Sequence, residues 1–339
     1  MKMKKIIIFG FFIAGCLIFY ACNGYLKQDK YKTKGLSVIF DTDANNELDD
    51  QHALAYLLFN DSTFNVKGIT VNATYNGGNI DEHFAEAERV VKLCKLDSKI
   101  PILKGANGNF ETIKNKIDNL DFDGSEAVDF IIRQAKMHTD EKLVIIAVGK
   151  LTNVALALIK EPSISENIRL VWLGSNYPES GEYNLENDIT AMNYLLKSDI
   201  HFEMVMVRYG KSSGTDAVRV TKKEALRMMP GLGPQLTKAV SGRHGGDFYN
   251  FGDYSVSLFE HIDYYGDPPS RALFDMAAVA IVKNPDWAEP SSISCPIMLE
   301  EQWHEQPDNL RKIIIWENFN REKIISDFYF TLRNYVPVD

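Results

Sequence analysis

From Leu36 onward, short and almost continuously apolar runs alternate with longer stretches whose apolar residues recur at helical spacing. The apolar runs predict strands at Ser37–Phe40, Val66–Val71, Pro101–Leu103, Leu143–Val148, Ile168–Leu173 and Phe202–Val207. Helices are expected between them, over Asp50–Phe59, Glu82–Leu93, Ser125–Ala135, Thr152–Ile159 and Ala191–Leu196. Strands without polar alternation are buried on both faces, which implies a parallel sheet covered by helices on either side. The expected fold is therefore α/β: a single-domain, open, mostly parallel sheet flanked by helices, with a Rossmann-like core, over residues 36–339. The last third is less regular. Lys222–Met229 and Gly246–His261 read as helical or irregular, Leu273–Val282 as a buried helix, and Glu322–Tyr335 as a closing helix. Ile293–Leu299 and Lys312–Trp316 read as strands. In such sheets ligands bind beyond the carboxyl ends of the strands, so polar residues just after strands are the ones to weigh.

The pattern before Leu36 is different. Met1–Lys5 is basic, Ile6–Ile13 is apolar apart from Gly10, and Leu17–Tyr20 is apolar again before Ala21-Cys22. This is the layout of a signal peptide, residues 1–22, followed by a polar tether, residues 23–35. Lipidation at Cys22 keeps every apolar residue in the removed part; Cys16 fits the small-residue rule but leaves Leu17–Tyr20 on the mature end. The competing reading is an uncleaved anchor, although the apolar run falls short of the ~20 residues of a full span. Either way the body is expected to be exported, as a periplasmic or outer-membrane-anchored lipoprotein held to the membrane through its N-terminus. Cys94 and Cys295 stand far apart in the chain, with no CxxC or Cys-His spacing, and are expected as buried free thiols.

Charge narrows the partners. With 37 basic and 46 acidic side chains among 339 residues, the formal net charge is −9, which argues against nucleic acid as a partner. A small molecule is the expected ligand, and a homo-oligomer stays open.

The acidity is concentrated where the fold expects chemistry. Directly after the first strand, Asp41, Asp43, Glu47, Asp49 and Asp50 put five carboxylates into ten residues without a Lys or Arg. One or two would serve as turn and capping residues. Five converging acids would raise one another's pKa values unless a cation compensates, and hard oxygen donors suit Ca²⁺ or Mg²⁺. Because Asp49 and Asp50 open a helix about 100° apart, one is expected to hold the ion and the other to reach a ligand hydroxyl. An EF-hand is excluded, since the central Gly is missing and Glu47 falls too early. A phosphatase of the haloacid dehalogenase type would need a later paired-Asp loop that the chain does not contain.

A strand ending in Asp41-Thr-Asp43, then Asp49-Asp50 opening a helix with Ala53-Leu-Ala55, resembles the DxDPGxDDAxA signature of the inosine-uridine nucleoside hydrolase family. Four further segments resemble that family in order: Ile69-Thr-Val71 with Tyr75-Asn76, Val148-Gly-Lys-Leu-Thr-Asn-Val-Ala155, Gly174-Ser-Asn176 with Glu182-Tyr-Asn184 and Asp188, and Phe274-Asp275-Met-Ala-Ala-Val-Ala280. The resemblance implies a nucleoside hydrolase-like fold and Ca²⁺-dependent cleavage of the N-glycosidic bond of a ribonucleoside or related ribosyl compound. It also implies Ca²⁺ held by Asp43, Asp50, the Val148 carbonyl and Asp275, with Asp43 as the base, and ribose hydroxyls held by Asp49, Asn76, Asn176, Glu182 and Asn184. Asp41 is expected to position the loop from behind.

Two departures stand out. The Pro-Gly turn of the signature is replaced by a longer Ala44-Asn-Asn-Glu-Leu48, and Phe274 stands where many members carry a His that protonates the leaving base. Phenylalanine donates no proton, so His244, in the polar Arg243-His-Gly-Gly246 loop, is expected at the pocket rim together with Phe274. The alternative reading of these departures is a surface lipoprotein that binds ribosyl compounds or sugars without turnover, or with altered specificity.

Overall fold

In the computed structural model, which describes residues 35–337, the first strand β1 (Leu36–Thr42) lies inside an eight-stranded sheet, third from one edge. It pairs in parallel with β2 (Phe64–Val71) on one side and β4 (Leu143–Ala147) on the other. β3 (Ile102–Lys104) lies outside β2, and β5 (Ile168–Ser175) and β6 (His201–Met206) follow β4. Beyond β6 come the parallel strand Lys312–Glu317 and, antiparallel at the edge, Glu289–Ser294. The strand order reverses at β1, so β2 and β4 part at its carboxyl end and open a crevice there.

The continuous apolar runs have the cause expected of them. Val38 and Phe40, Val144 and Ile146, and Val171 and Leu173 face one apolar layer, while Ile39, Ile145, Leu170 and Trp172 face the other. Successive side chains on a strand point to opposite faces, so a strand covered on both sides must be apolar throughout. The first layer is closed by α1 (Asp49–Leu58), α2 (Ile80–Leu93) and the helices Met276–Lys283 and Arg321–Asn334. The second is closed by Ser125–Lys136, Thr152–Lys160 and Ile189–Lys197.

The last third departs from the pattern in two places. Gly246–His261 divides into a short hairpin strand, Asp247–Phe248, and a helix, Phe251–Glu260, begun by Asn250, whose side chain caps Asp253 N–H at 2.8 Å. Ile293–Leu299 is two strands rather than one, Glu289–Ser294 and Ile297–Leu299, because Pro296 has no N–H to continue a ladder. Cys94 and Cys295 are buried free thiols. The expected signal peptide, with Cys16 and Cys22, and the tether up to Lys34 lie outside the described residues.

One buried carboxylate fastens three adjacent strands. Glu203 on β6 accepts two hydrogen bonds from Arg169 on β5 (2.6 and 3.0 Å) and one from Trp316 Nε1 (2.7 Å), with His201 Nε2 at 2.8 Å. Burial works to raise its pKa, but the donors from His201, Arg169 and Trp316 outweigh it and hold the group down at about 2. A depressed carboxyl contributes stability that is present above its ordinary value near 4.5 and lost as pH falls towards 2. Glu203→Gln should therefore cost about 3 kcal/mol at pH 7, measured by urea unfolding. The gap to the native protein should narrow between pH 4.5 and pH 3; a gap that does not change with pH would remove the ion pair from the account.

Candidate active site

The site begins with Asp41, fully buried near the carboxyl end of β1. Its carboxylate takes donors from Thr70 Oγ1 (2.5 Å), Asn72 Nδ2 (2.6 Å) and Asn153 Nδ2 (2.8 Å). Both oxygens are thereby engaged, so Asp41 ties β1 to β2 and to the helix Thr152–Lys160, and it is not among the residues that line the cavity over the site. Burial still raises its pKa, to about 6.

Asp43 lies further out and is freer. Oδ2 accepts from Thr74 Oγ1 at 2.6 Å, and burial lifts the carboxyl to about 7. Gly149, after β4, lets the chain pass close by: a Cβ there would stand 2.9 Å from Asp43 Oδ1 and 2.8 Å from Asn72 Oδ1. The longer loop is folded by local bonds in place of the missing Pro-Gly. Asn46 N–H donates to the Asp43 carbonyl (2.9 Å), Asn45 Nδ2 to the Gly77 carbonyl (2.6 Å), and Arg243 Nη1 to the Glu47 carbonyl (3.1 Å). His83, buried on α2, places Nδ1 2.8 Å from the Asp43 carbonyl.

This bend delivers Asp49 and Asp50 to the start of α1, opposite Asp275 at the start of the helix Met276–Lys283. One carboxylate oxygen from each of Asp49, Asp50 and Asp275 lies within 4.8 Å of the others, and all three residues are buried. Asp49 thus lies beside Asp50 and Asp275 and also lines the cavity. Asp50 Oδ1 also accepts from Thr42 Oγ1 at 2.5 Å. Burial first, and then the neighbouring acids, raise Asp49 to about 7 and push Asp50 and Asp275 well above the ordinary carboxylate range. Two helix N-termini face the cluster, and their N–H groups offset only part of the charge. A buried, all-oxygen set of this kind fits a hard divalent cation.

A cavity of about 390 Å³, the size of a small-molecule site, opens over the cluster. Asp43, Asp49, Asp50, Asn76, Val148, Glu182, Asn184, Phe274 and Asp275 all line it. Asn184 gives both amide hydrogens away, to the carbonyls of Val148 (2.9 Å) and Leu173 (3.0 Å), which leaves Oδ1 as its free group. The Val148 carbonyl keeps a second lone pair. Glu182 caps the helix Tyr183–Asn187 through Oε2 to Leu185 N–H (2.8 Å), leaving Oε1 unspent, and burial raises it to about 7.

Asn176 and His244 are not among the residues that line the cavity. Asn176 donates to the Ser180 carbonyl (3.0 Å) and accepts from Tyr209 N–H (3.2 Å), so it holds a turn together. His244 is exposed and stacks on His261, with ring centroids 4.5 Å apart. The outer wall holds residues that the sequence pattern did not single out: Tyr183, Tyr209, Asp216, Arg219, Tyr265 and Arg271. Arg219 and Arg271 sit on a ladder of two three-residue strands, Arg219–Thr221 and Ser270–Ala272, too short to carry a period.

Residues 38–324 match the family described as inosine-uridine preferring nucleoside hydrolase. The chain belongs to that family. Among curated relatives of this nucleoside hydrolase family member, the non-specific ribonucleoside hydrolase RihC of Salmonella agona (strain SL483) is 28% identical over 193 residues, 51% of this chain and 61% of that protein. The chain thus spans about three-fifths of the length of the curated relatives it matches. Solved structures of similar fold include a purine-preferring ribonucleoside hydrolase from Gardnerella vaginalis (TM-score 0.66, 18% identity, 88% of this chain and 98% of that one). An inosine-uridine preferring nucleoside hydrolase from Bacillus anthracis has a TM-score of 0.63 at 16% identity, covering 88% of this chain and 99% of that one. At these identities the likeness is one of fold.

The cluster has a consequence for stability. A carboxyl raised from 3.8 to about 7, as at Asp43, favours folding when protonated; that contribution is present below pH 4 and lost as pH rises through 7. A cation that binds the folded state restores it. Removing divalent cations with a chelator should lower the unfolding temperature more at pH 8 than at pH 5. Equal shifts at the two pH values would separate the acids from metal binding.

Proposed function

We propose that this protein hydrolyses the N-glycosidic bond of ribonucleosides or a related ribosyl compound, with Ca²⁺, releasing ribose and a base. The observation that supports the reading best is the cavity whose floor is the buried Asp49–Asp50–Asp275 cluster and whose wall is Asp43, Glu182, Asn76 and Asn184. In this reading Asp50, Asp275, Asp43 and the Val148 carbonyl hold the ion. When bound, such an ion lowers the pKa of water and orients it with the sugar hydroxyls.

The chain's own residues account for the remaining work. Cleavage passes through a cationic, oxocarbenium-like ribosyl group, and a floor of carboxylates and amide oxygens favours that charge. Asn184 Oδ1 and Glu182 Oε1, left free by their other bonds, would accept from sugar hydroxyls. Asp49 and Asn76 complete the sugar contacts. Asp43, positioned by Thr74, accepts a proton from the attacking water. Tyr209 meets Phe274 edge to face at 5.8 Å, an aromatic wall on which a departing base can lie. We further propose that the body acts outside the cytoplasm, tethered through lipid on Cys22 or Cys16.

The test is release of free ribose from a panel of ribonucleosides, with Ca²⁺ and with chelator. Turnover should require the ion; Ca²⁺-dependent ribose binding without turnover on any nucleoside would favour a binding protein instead. Asp43→Asn should lower kcat by about 10³-fold without lowering the unfolding temperature. Retention of a tenth of the rate would take the base role away from Asp43.

A further inference from the structure

The family position that often carries a leaving-group acid is Phe274 here, and the cavity's outer wall holds a different kind of group. Arg271 is only 7% exposed, yet it lines the cavity just upstream of Phe274 and Asp275. Its Nη2 pairs with Glu47 from the lengthened acidic loop, and its guanidinium lies 5.7 Å from the centre of the Tyr265 ring. Its Nε is buried and has no hydrogen-bond partner among the described residues. Arg219, on the neighbouring strand, is different. Its donors are spent on Asp216 Oδ1 (2.5 Å), Ser270 Oγ (2.9 Å) and the Ser270 carbonyl (3.0 Å).

A buried guanidinium that lines a cavity, paired with one carboxylate and keeping an N–H without an acceptor, is prepared for an acceptor that arrives with the ligand. We propose that Arg271, oriented by Glu47, binds the departing base through a carbonyl oxygen or bare ring nitrogen and stabilises it as an anion, in place of a proton-donating acid. This rests on the ribohydrolase reading above. The substrate class it names is ribosides of heterocycles that present such an acceptor, inosine and uridine being simple examples.

The bond changes balance without an acid. The C1′–N bond breaks and its electron pair stays on the base, while a water oxygen bonds to C1′. Asp43 takes the water's proton. The base leaves as an anion paired with the guanidinium, which keeps its own protons, and is protonated afterwards from solvent. Aromatic contact with Tyr209, Phe274 and Tyr265 would hold the ring, and Arg271 would hold its charge. Glu47 is a positioning residue: it touches the guanidinium and not the base.

The experiment compares natural nucleosides with 4-nitrophenyl β-D-riboside, whose leaving group is already a stable anion and needs no assistance. Arg271→Gln should lower kcat/KM on inosine and uridine by about 10²-fold, but on the nitrophenyl riboside by only a few-fold. Arg271→Lys should recover part of the nucleoside rate. Glu47→Gln, on a more exposed residue, should give the same substrate-dependent pattern in weaker form, and covers the case in which Arg271→Gln does not fold. Equal losses on both substrate classes, or no loss on nucleosides, would overturn the proposal. Failure of the unsubstituted protein on the nitrophenyl riboside as well as on nucleosides would instead overturn the ribohydrolase reading itself.

Discussion

The structure is organised around a concentration of buried negative charge at the carboxyl end of β1. Asp41, Asp43, Asp49, Asp50, Glu182 and Asp275 are all withdrawn from water at one end of the sheet. Without compensation such a group repels itself and favours the protonated forms, which is what burial does to each of their pKa values. The molecule answers in different ways at different depths. Asp41, deepest in the sheet, is neutralised in effect by three side-chain donors and becomes a structural joint. Asp50 and Asp275 have less relief: Asp50 accepts from Thr42 Oγ1, and the acids around both add to the burial that raises them. That imbalance separates a carboxylate that builds the site from carboxylates whose charge the fold leaves largely unmet.

Holding the acids together takes support from the whole fold. The parallel sheet puts the ends of β1, β2 and β4 side by side, and the reversal of strand order leaves the gap between them. Two helices aim their N-termini at the gap, the one orientation in which a helix end favours carboxylates. Gly149 is required because any side chain there would displace Asp43. Trp172 Nε1 donates to the Gly149 carbonyl at 3.0 Å, so the tight passage is anchored from the opposite apolar layer. The core packing and the site geometry are therefore one constraint: loosening Trp172 would move the loop that bounds Asp43.

Much of this was legible in the chain, and the reasons are physical. Strands buried on both faces are apolar at every position, so β1, β2, β4, β5 and β6 stand out, and the acids that follow them stand out by contrast. Spacing put Asp43, Asp49 and Asp50 into one loop after the first strand, and the family resemblance added Asp275 from the far end of the body. What spacing could not show is the direction of a side chain. Asn176 and Asn184 look alike in sequence, yet Asn176 spends both ends of its amide on a turn while Asn184 keeps an oxygen over the cavity. The outer wall was hidden for another reason. Arg219 and Arg271 come from three-residue strands with no period to read, and the Glu47–Arg271 pair joins segments from opposite ends of the body.

That pair gives the longer acidic loop a role that its composition alone would not suggest. A fifth carboxylate at the cluster would add repulsion where there is already too much; Glu47 instead turns to the far wall and meets a cation. The lining thus carries the clustered carboxylates and, apart from them, a guanidinium that Glu47 holds in place. Breaking a glycosidic bond separates charge, positive on the sugar and negative on the base. In the proposed reaction the acidic floor and Arg271 act on the two halves of one transition state. Phe274, which has no proton to give, is then consistent with catalysis, because in the proposed reaction the charge that a proton would cancel is met by a fixed one.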